Sequence, residues 1–195
     1  MIHPSVPANS LREFVAYAKA NPGKIGAAVA GSGSLLHFAT EMLTAQAGID
    51  MLVVPYKGSG PAVTDLLGGQ VQLLIDAPTV AMAHVKAGKL KAIAVSGKTR
   101  LATLPDVPTF DEAGVPGIDA TGWQGIAVPA GTPREVIAKL SDALARTMAQ
   151  PEIREKFAQQ GLDAASSTAD ELSAQIRAEV AKWTRIARSA NISVE

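Results

Sequence analysis

Short apolar segments alternate with helical segments through the first half of the chain, and this alternation constrains the fold more than any other feature. A helix at 11–20 comes first, and apolar runs at 24–30 and 51–54 each lead through a turn into a helix. Runs at 71–75 and 90–95 continue the pattern. Strands that alternate with helices at this spacing form right-handed crossovers and a mostly parallel sheet. The sequence therefore predicts an α/β lobe.

The second half of the chain has a different pattern. Proline and glycine interrupt residues 97–122, which is typical of a crossover between lobes, and the chain beyond 132 is helical. The predicted helices span 11–20, 35–47, 60–67, 79–86, 132–149, 151–160 and 169 to about 190, and the predicted strands span 24–30, 51–54, 71–75, 90–95 and 123–128. The C-terminal helices carry more apolar surface than one small sheet can cover. This excess indicates that part of the structure they pack on is absent from this sequence.

Composition excludes several classes of function. Apolar residues make up 47% of the chain, and 18 basic residues balance 18 acidic ones, so no global charge attracts nucleic acid or an anionic membrane. The chain has no cysteine and only three histidines, without metal-ligand spacing. No window is long and apolar enough for a membrane span, and the first residues lack the pattern of a signal peptide. We expect no metal, cofactor or nucleic-acid partner.

The strongest candidate site is the turn between the first strand and its helix. It consists of Gly31, Ser32, Gly33 and Ser34, and His37 follows one turn into the helix. Glycines let backbone N–H groups approach a ligand, and serine hydroxyls add donors at a helix N-terminus, which favours anions. A tight turn with a serine cap explains the same residues equally well, and a structural histidine is the commoner outcome. The turn matches neither a Walker loop nor a dinucleotide fingerprint.

Two other strand ends carry polar residues. Tyr56 and Lys57 end the second strand, and Ser59 is a candidate cap for the next helix. Asp76 directly follows the apolar run 71–75, where an unpaired buried carboxylate would be costly. Its partner is therefore a ligand amino or hydroxyl group, a neighbouring N–H or Lys57, and a structural role is equally open. Because ligands bind outside the carboxyl ends of parallel strands, these turns are expected to converge.

At these same turns the sequence resembles the Bug family, the periplasmic solute receptors of tripartite tricarboxylate transport systems. The motifs that carry the resemblance are HPSVPA at 3–8, GSGSLLH at 31–37, VPYKG at 54–58, DLLGGQV at 65–71, KAGKL at 86–90, LPDVPT at 104–109, EAGVPG at 112–117 and PAGTP at 129–133. Any one of them is a weak signal. Their order and spacing are specific, and they extend over nearly the whole chain.

The resemblance implies a periplasmic-binding-protein-like fold of type II, in which two lobes close on a small carboxylate such as a dicarboxylate, an acidic amino acid or an aromatic acid. Residues 5–122 would form the second ligand-binding lobe, and 123–195 would be the helical C-terminal return segment of the first lobe. The N-terminal part of that first lobe would precede residue 1. The implied function is that of a periplasmic receptor that delivers its ligand to membrane transporter subunits.

The resemblance also implies roles for individual residues. The turn from Gly31 to His37 would grip one carboxylate opposite a loop of the other lobe, with Tyr56 close by, and Asp76 would meet the distal part of the ligand. Relatives often have Gly-Ser-Ser where this chain has residues 28–30, and a polar residue where it has Ala77. A less polar pocket is therefore expected. This shifts the expected ligand from an amino acid toward a less polar or aromatic carboxylate.

Two other functions remain open from the residues alone. One is an enzyme in which His37 and Asp76 perform acid–base chemistry. The other is an interaction protein that self-associates through exposed apolar stripes containing Leu140, Leu144, Ile176 and Trp183. We expect a binding module rather than an enzyme, and we expect one lobe alone to bind its ligand weakly or not at all. The receptor hypothesis requires that amides of residues 31–37 are free.

Overall fold

The computed structural model describes residues 1–189 and contains seven helices and three strands in that range. In chain order these are α1 (Leu11–Ala20), β1 (Gly26–Ala30), α2 (Leu35–Ala47), β2 (Leu52–Tyr56), α3 (Ser59–Leu67), β3 (Leu73–Leu74), α4 (Pro78–Lys86), α5 (Arg134–Met148), α6 (Pro151–Gln159) and α7 (Ala169–Ser189). All seven predicted helices are present. The predicted end of the last helix near Ala190 lies outside the described residues.

The three strands form one parallel sheet in the order β2-β1-β3. β1 lies in the centre and pairs with β2 from Gly26 opposite Leu52 to Ala30 opposite Tyr56. On its other side, Ala28 of β1 lies opposite Leu74 of β3. The central strand is buried along most of its length, as its alanine- and valine-rich sequence requires. The prediction of a parallel α/β sheet is confirmed.

Local sequence signals set the helix ends near the site. The Ser34 side chain caps α2 by accepting a hydrogen bond from the His37 amide, and Gly48 ends this helix in the left-handed conformation. The prediction for Ser59 is wrong, because Gly58 occupies the N-cap of α3 and no side chain caps that helix. Gly58 has φ 108°, a backbone conformation that lets the helix begin one residue earlier than a serine cap would allow.

The core packs on both faces of the sheet. One cluster surrounds Phe14, Ile25 and Leu43, which are all at most 2% exposed and join α1 and α2 to the sheet. A second cluster packs α3 against the other face through Leu66 and Leu74. Every buried apolar residue among the described ones lies between residues 2 and 120. We call residues 1–122 the sheet region and residues 123–189 the C-terminal segment.

Two predicted strands of the sheet region are shortened or absent. The strand at 71–75 is reduced to Leu73 and Leu74, and the strand at 90–95 is replaced by isolated bridges. The reason is the N-terminal segment, which lies between them: Ile2 forms antiparallel bridges to both Leu73 and Lys91. The outer edge of β3 is therefore occupied by residues 1–3, and residues 90–95 cannot pair with it.

The strand predicted at 123–128 is also absent. Residues 121–130 are all exposed, and Ile126 retains 66% of its surface. An apolar run forms a strand only when another strand supplies hydrogen-bond partners, and none within residues 1–189 lies beside this one. No helix in the described range is long and apolar enough to cross a membrane.

Candidate functional site

Three loops meet at one edge of the sheet because β1, β2 and β3 run parallel. Ala30 at the end of β1 lies opposite Tyr56, and Ala28 lies opposite Leu74. The register therefore places Asp76 level with Ala30. The turn at 31–34, Tyr56 and Asp76 thus share the carboxyl edge of the sheet, where open α/β folds bind ligands.

The backbone of the turn at 31–34 is shaped by its two glycines. Gly31 has φ 101° and Gly33 has φ 71°, backbone conformations that residues with a Cβ rarely adopt. The Gly31 amide donates to the Tyr56 carbonyl at 3.0 Å, and the Ser34 amide donates to the Gly31 carbonyl at 3.2 Å. These bonds tie the turn to β2 and close it upon itself.

Not all amides of the turn are used in this way. The Gly33 amide donates to Nδ1 of His37 at 3.0 Å, and the His37 amide donates to Ser34 Oγ at 3.2 Å. The amides of Ser32, Leu35 and Leu36 have no hydrogen-bond partner within residues 1–189. Ser32 is also exposed. Three donors at the start of α2 therefore remain available, which meets the requirement that the receptor hypothesis places on the turn.

His37 has a structural role in the turn. Because Nδ1 accepts the Gly33 N–H, the neutral ring carries its proton on Nε2, which lies 3.5 Å from Oε1 of Glu41. The ring is half-buried on the first turn of α2. Sequence reasoning missed Glu41, although its position four residues after His37 on a helix is a recognisable signal.

Tyr56 uses its hydroxyl within the fold. Its O–H donates to Oδ2 of Asp65 on α3 at 2.7 Å, and its ring packs against the second core cluster. Burial, with the hydrogen bond to Asp65, raises the pKa of Tyr56 to about 12. The backbone carbonyl of Tyr56 accepts a hydrogen bond from the Gly31 amide, so this residue holds the turn against the end of β2. Asp65 gave no sequence signal, because its contact with Tyr56 depends on how α3 folds back over the sheet.

Asp76 has one oxygen without a partner. Oδ1 accepts the Ala77 amide at 2.7 Å, whereas Oδ2 is buried and accepts no hydrogen bond. Of the partners considered from the sequence, the neighbouring N–H is present, and Lys57 is exposed. Asp76 also borders a cavity of about 50 Å³ whose lining includes Met1, Ser96 and Phe110. Burial lowers the pKa of the Met1 amino group to about 6, and the Asp76 charge partly opposes that shift.

Metal chemistry finds no support in this arrangement. Within the described residues, no group of three histidine, cysteine, aspartate or glutamate side chains could hold a metal ion. The groups at the carboxyl edge are instead N–H donors, a serine hydroxyl and one carboxylate with a free oxygen. Such donors can hold an anion by hydrogen bonds and the helix dipole.

An open parallel sheet with free helix amides at its carboxyl edge is an α/β lobe of the kind found in periplasmic binding proteins. The sequence matches the family described as "Tripartite tricarboxylate transporter family receptor" over residues 1–192. The chain belongs to this family. It is a family of transport receptors and not of enzymes. This argues against the alternative in which His37 and Asp76 perform acid–base chemistry.

Solved structures agree with this assignment. An R. palustris protein, Rpa4515, solved with adipate, is 30% identical, superposes with a TM-score of 0.93, and matches 98% of this chain and 64% of its own. The periplasmic binding protein BugD is 36% identical with a TM-score of 0.88, over 98% of this chain and 65% of its own. MatC from Rhodopseudomonas palustris, with bound malate, is 30% identical with a TM-score of 0.81, over 95% and 64%.

The chain matches only part of the length of its relatives. The chain spans 55% and 57% of the length of the first two curated relatives that it matches. The described fold corresponds to a type II lobe and additional C-terminal helices. The expectation of a Bug-type receptor fold that covers only part of the family's length is confirmed.

Proposed function

We propose that the chain is the carboxylate-binding lobe of an extracytoplasmic solute receptor that delivers its ligand to a tripartite membrane transporter. The observation that carries this proposal is the set of three free amides, of Ser32, Leu35 and Leu36, at the N-terminus of α2. They lie at the end of the central strand, where a helix dipole favours a negative charge. Membership of the family supports a periplasmic location and a transporter partner.

The proposed ligand is a small dicarboxylate. Adipate and malate, bound by two structural relatives, share two carboxylates and differ in length and polarity. One carboxylate would accept hydrogen bonds from the free amides and the Ser32 hydroxyl. Asp76 would then lie toward the distal part of the ligand, where its Oδ2, buried and without a partner in this structure, accepts only from a ligand hydroxyl group. Ala30 and Ala77, which are partly exposed at the carboxyl edge, support a ligand with an apolar middle.

Energetics indicate that the described lobe binds weakly by itself. Charge-assisted hydrogen bonds of about 1.5 to 3 kcal/mol each reach the roughly 8 kcal/mol of micromolar affinity only when two lobes enclose the ligand. An anion held on one side only stays hydrated and screened. We propose that residues 5–122 form one ligand-binding lobe, and that residues 123–195 belong to the other lobe of the complete receptor. Micromolar calorimetric binding by this chain alone would contradict the weak-binding part of the proposal.

Adipate titration followed by ¹H–¹⁵N NMR tests the proposed site. We expect saturable shifts at millimolar adipate that concentrate on the amides of Ser32, Leu35 and Leu36. Adipamide is the matched control, because it has the same length without either charge, and it should leave these amides unchanged. Equal responses to adipate and adipamide, or adipate shifts spread evenly over the chain, would refute carboxylate binding at this turn.

Self-association is a second candidate function, favoured by the exposed apolar face of the C-terminal segment. Leu140 is 48%, Ile176 43% and Val180 61% exposed. Large apolar patches of this kind are commonly interaction surfaces. Trp183, which the sequence placed in this stripe, is instead half-buried against Phe38. Sedimentation velocity should show a concentration-dependent dimer that Leu140→Glu abolishes, and a monomer at all concentrations would reject this function.

A further inference from the structure

A stack of aromatic rings connects the C-terminal helix to the candidate site. Trp183 of α7 stacks on Phe38 of α2, with ring centroids 5.5 Å apart and planes inclined by 19°. Phe38 in turn lies nearly parallel to His37, at 6.4 Å and 14°. Phe38 is 7% exposed, so α7 covers it. A residue 145 positions beyond Phe38 in the sequence thus packs on the first turn of the site helix.

The His37 end of this stack holds the turn in place. Its Nδ1 accepts the Gly33 N–H at 3.0 Å, and Gly33 lies between the Ser32 donor and the helix. This bond is possible only while Nδ1 is unprotonated and the ring plane faces the turn. The His37 ring therefore helps to fix the direction of the Gly33 amide, which is adjacent in the chain to the free Ser32 donor.

The Trp183 end is itself fixed. The indole Nε1 donates a hydrogen bond to Glu179 Oε2 one turn earlier. The ammonium of Lys182 lies 4.3 Å from the centre of the indole ring and donates to the Asp119 carbonyl at 3.0 Å. Two contacts of different kinds thus hold the indole against Phe38, and Lys182 is itself held by the Asp119 carbonyl. The ring is not free to swing away, as an exposed side chain on a surface helix would be.

We infer that Trp183 is a positioning residue for the carboxylate-binding turn at 31–37. It acts through Phe38 and His37 and has no contact with the ligand. The inference deepens the proposed function, on which its meaning for binding rests. The C-terminal helix thereby supports a turn whose own residues all lie in the sheet region.

Hydrogen exchange and imidazole ¹⁵N shifts, measured by NMR on the 195-residue chain, test this role. In Trp183→Ala we expect exchange of the Gly33 amide to accelerate by about threefold to tenfold, the range that an aromatic pair supports. The His37 ring should also lose its preference for the Nε2-protonated tautomer. The Gln72 amide, which bonds Gly26 O at 2.7 Å in the sheet, serves as the internal reference and should not change.

Matched variants separate positioning from general destabilisation. Trp183→Phe retains a stacking ring and should rescue both signals, whereas Val180→Ala shortens an exposed side chain on the same helix and should change neither. If Trp183→Ala does not fold, Trp183→Leu keeps the apolar volume without the ring and should reproduce the faster Gly33 exchange. Unchanged Gly33 exchange, or equal acceleration at Gly33 and Gln72, would overturn the inference.

The same samples distinguish this inference from the proposed function. The exchange and tautomer measurements need no ligand, so they stand if adipate fails to bind. If adipate shifts Ser32, Leu35 and Leu36 but Trp183→Ala leaves Gly33 exchange and the adipate affinity unchanged, only the positioning role is refuted. If both hold, Trp183→Ala should weaken adipate binding by the same factor of about three to ten.

Discussion

The sheet region and the C-terminal segment use similar helices in different ways. In the sheet region, α1, α2 and α3 bury apolar faces on a three-stranded sheet. In the C-terminal segment, α5 and α6 contain no buried residue, and residues 123–128 are exposed and form no helix or strand. Both sets are amphipathic, yet only one has a surface to cover. Amphipathic pattern thus specifies a helix, whereas burial depends on what lies opposite it.

A core truncation should have the largest effect and should separate the two regions. Phe14→Ala removes a fully buried ring and should lower the free energy of unfolding by about 3 to 5 kcal/mol. Leu140→Ala, at 48% exposure in α5, is the control and should cost less than about 1 kcal/mol. Urea denaturation followed by circular dichroism measures both. Similar losses would mean that the C-terminal segment has a core of its own.

The second-largest expected effect is a pH dependence of stability that arises from a group in the sheet region. Burial lowers the pKa of the Met1 amino group from about 8 to about 6, so the unfolded chain binds this proton more tightly than the folded chain. Stability should therefore rise between pH 6 and pH 8, by about 2 to 3 kcal/mol, and is lower below pH 6. Urea denaturation across this window measures it. N-terminal acetylation should abolish the rise, and a rise that persists would assign it to other groups.

Removal of helix caps should have a moderate effect that differs between the regions. Ser34→Ala removes the side chain that accepts the His37 amide and should cost about 1 kcal/mol of global stability. Thr168→Ala removes the equivalent acceptor for the Glu171 amide at the start of α7. It should lower helicity locally and leave the urea midpoint of the sheet region nearly unchanged, with a free energy of unfolding within about 0.5 kcal/mol of the original. Equal shifts of that midpoint would show that α7 and the sheet unfold together.

Breaking an exposed ion pair should have the smallest effect on the free energy of unfolding. Lys156 and Glu152 of α6 approach to 2.6 Å, but both side chains are more than half exposed. Glu152→Gln should therefore change the free energy of unfolding by no more than about 0.5 kcal/mol, and less at high salt. Thermal melts at low and high salt measure this change. A larger loss would indicate that α6 packs on a partner that shields the pair.

The sequence predicted much of the local structure of the candidate site and little of the tertiary packing around it. The turn at 31–34, the Ser34 cap and the polar ends of parallel strands follow from local signals, because glycine, serine and apolar runs act through nearby backbone. The roles of Asp65 and Trp183 could not be predicted. Asp65 reaches the Tyr56 hydroxyl and Trp183 reaches Phe38 only through tertiary packing.

The failed strand predictions have the same origin. Residues 90–95 and 123–128 are apolar enough for strands, but a strand needs hydrogen-bond partners on a neighbouring segment. Ile2 occupies the place beside β3 that the first run would need, and no strand of residues 1–189 lies beside the second. Apolar pattern measures the tendency to be buried. It does not report which segment is available for pairing.

By itself, the sequence determined the helices, the parallel sheet and the glycine- and serine-rich turn before α2, because these depend on periodicity, caps and turns over a few residues. Only the tertiary structure decided which amides stay free, which ring packs on Phe38, and which apolar faces are covered. Those outcomes depend on hydrogen-bond competition and packing between residues far apart in the chain.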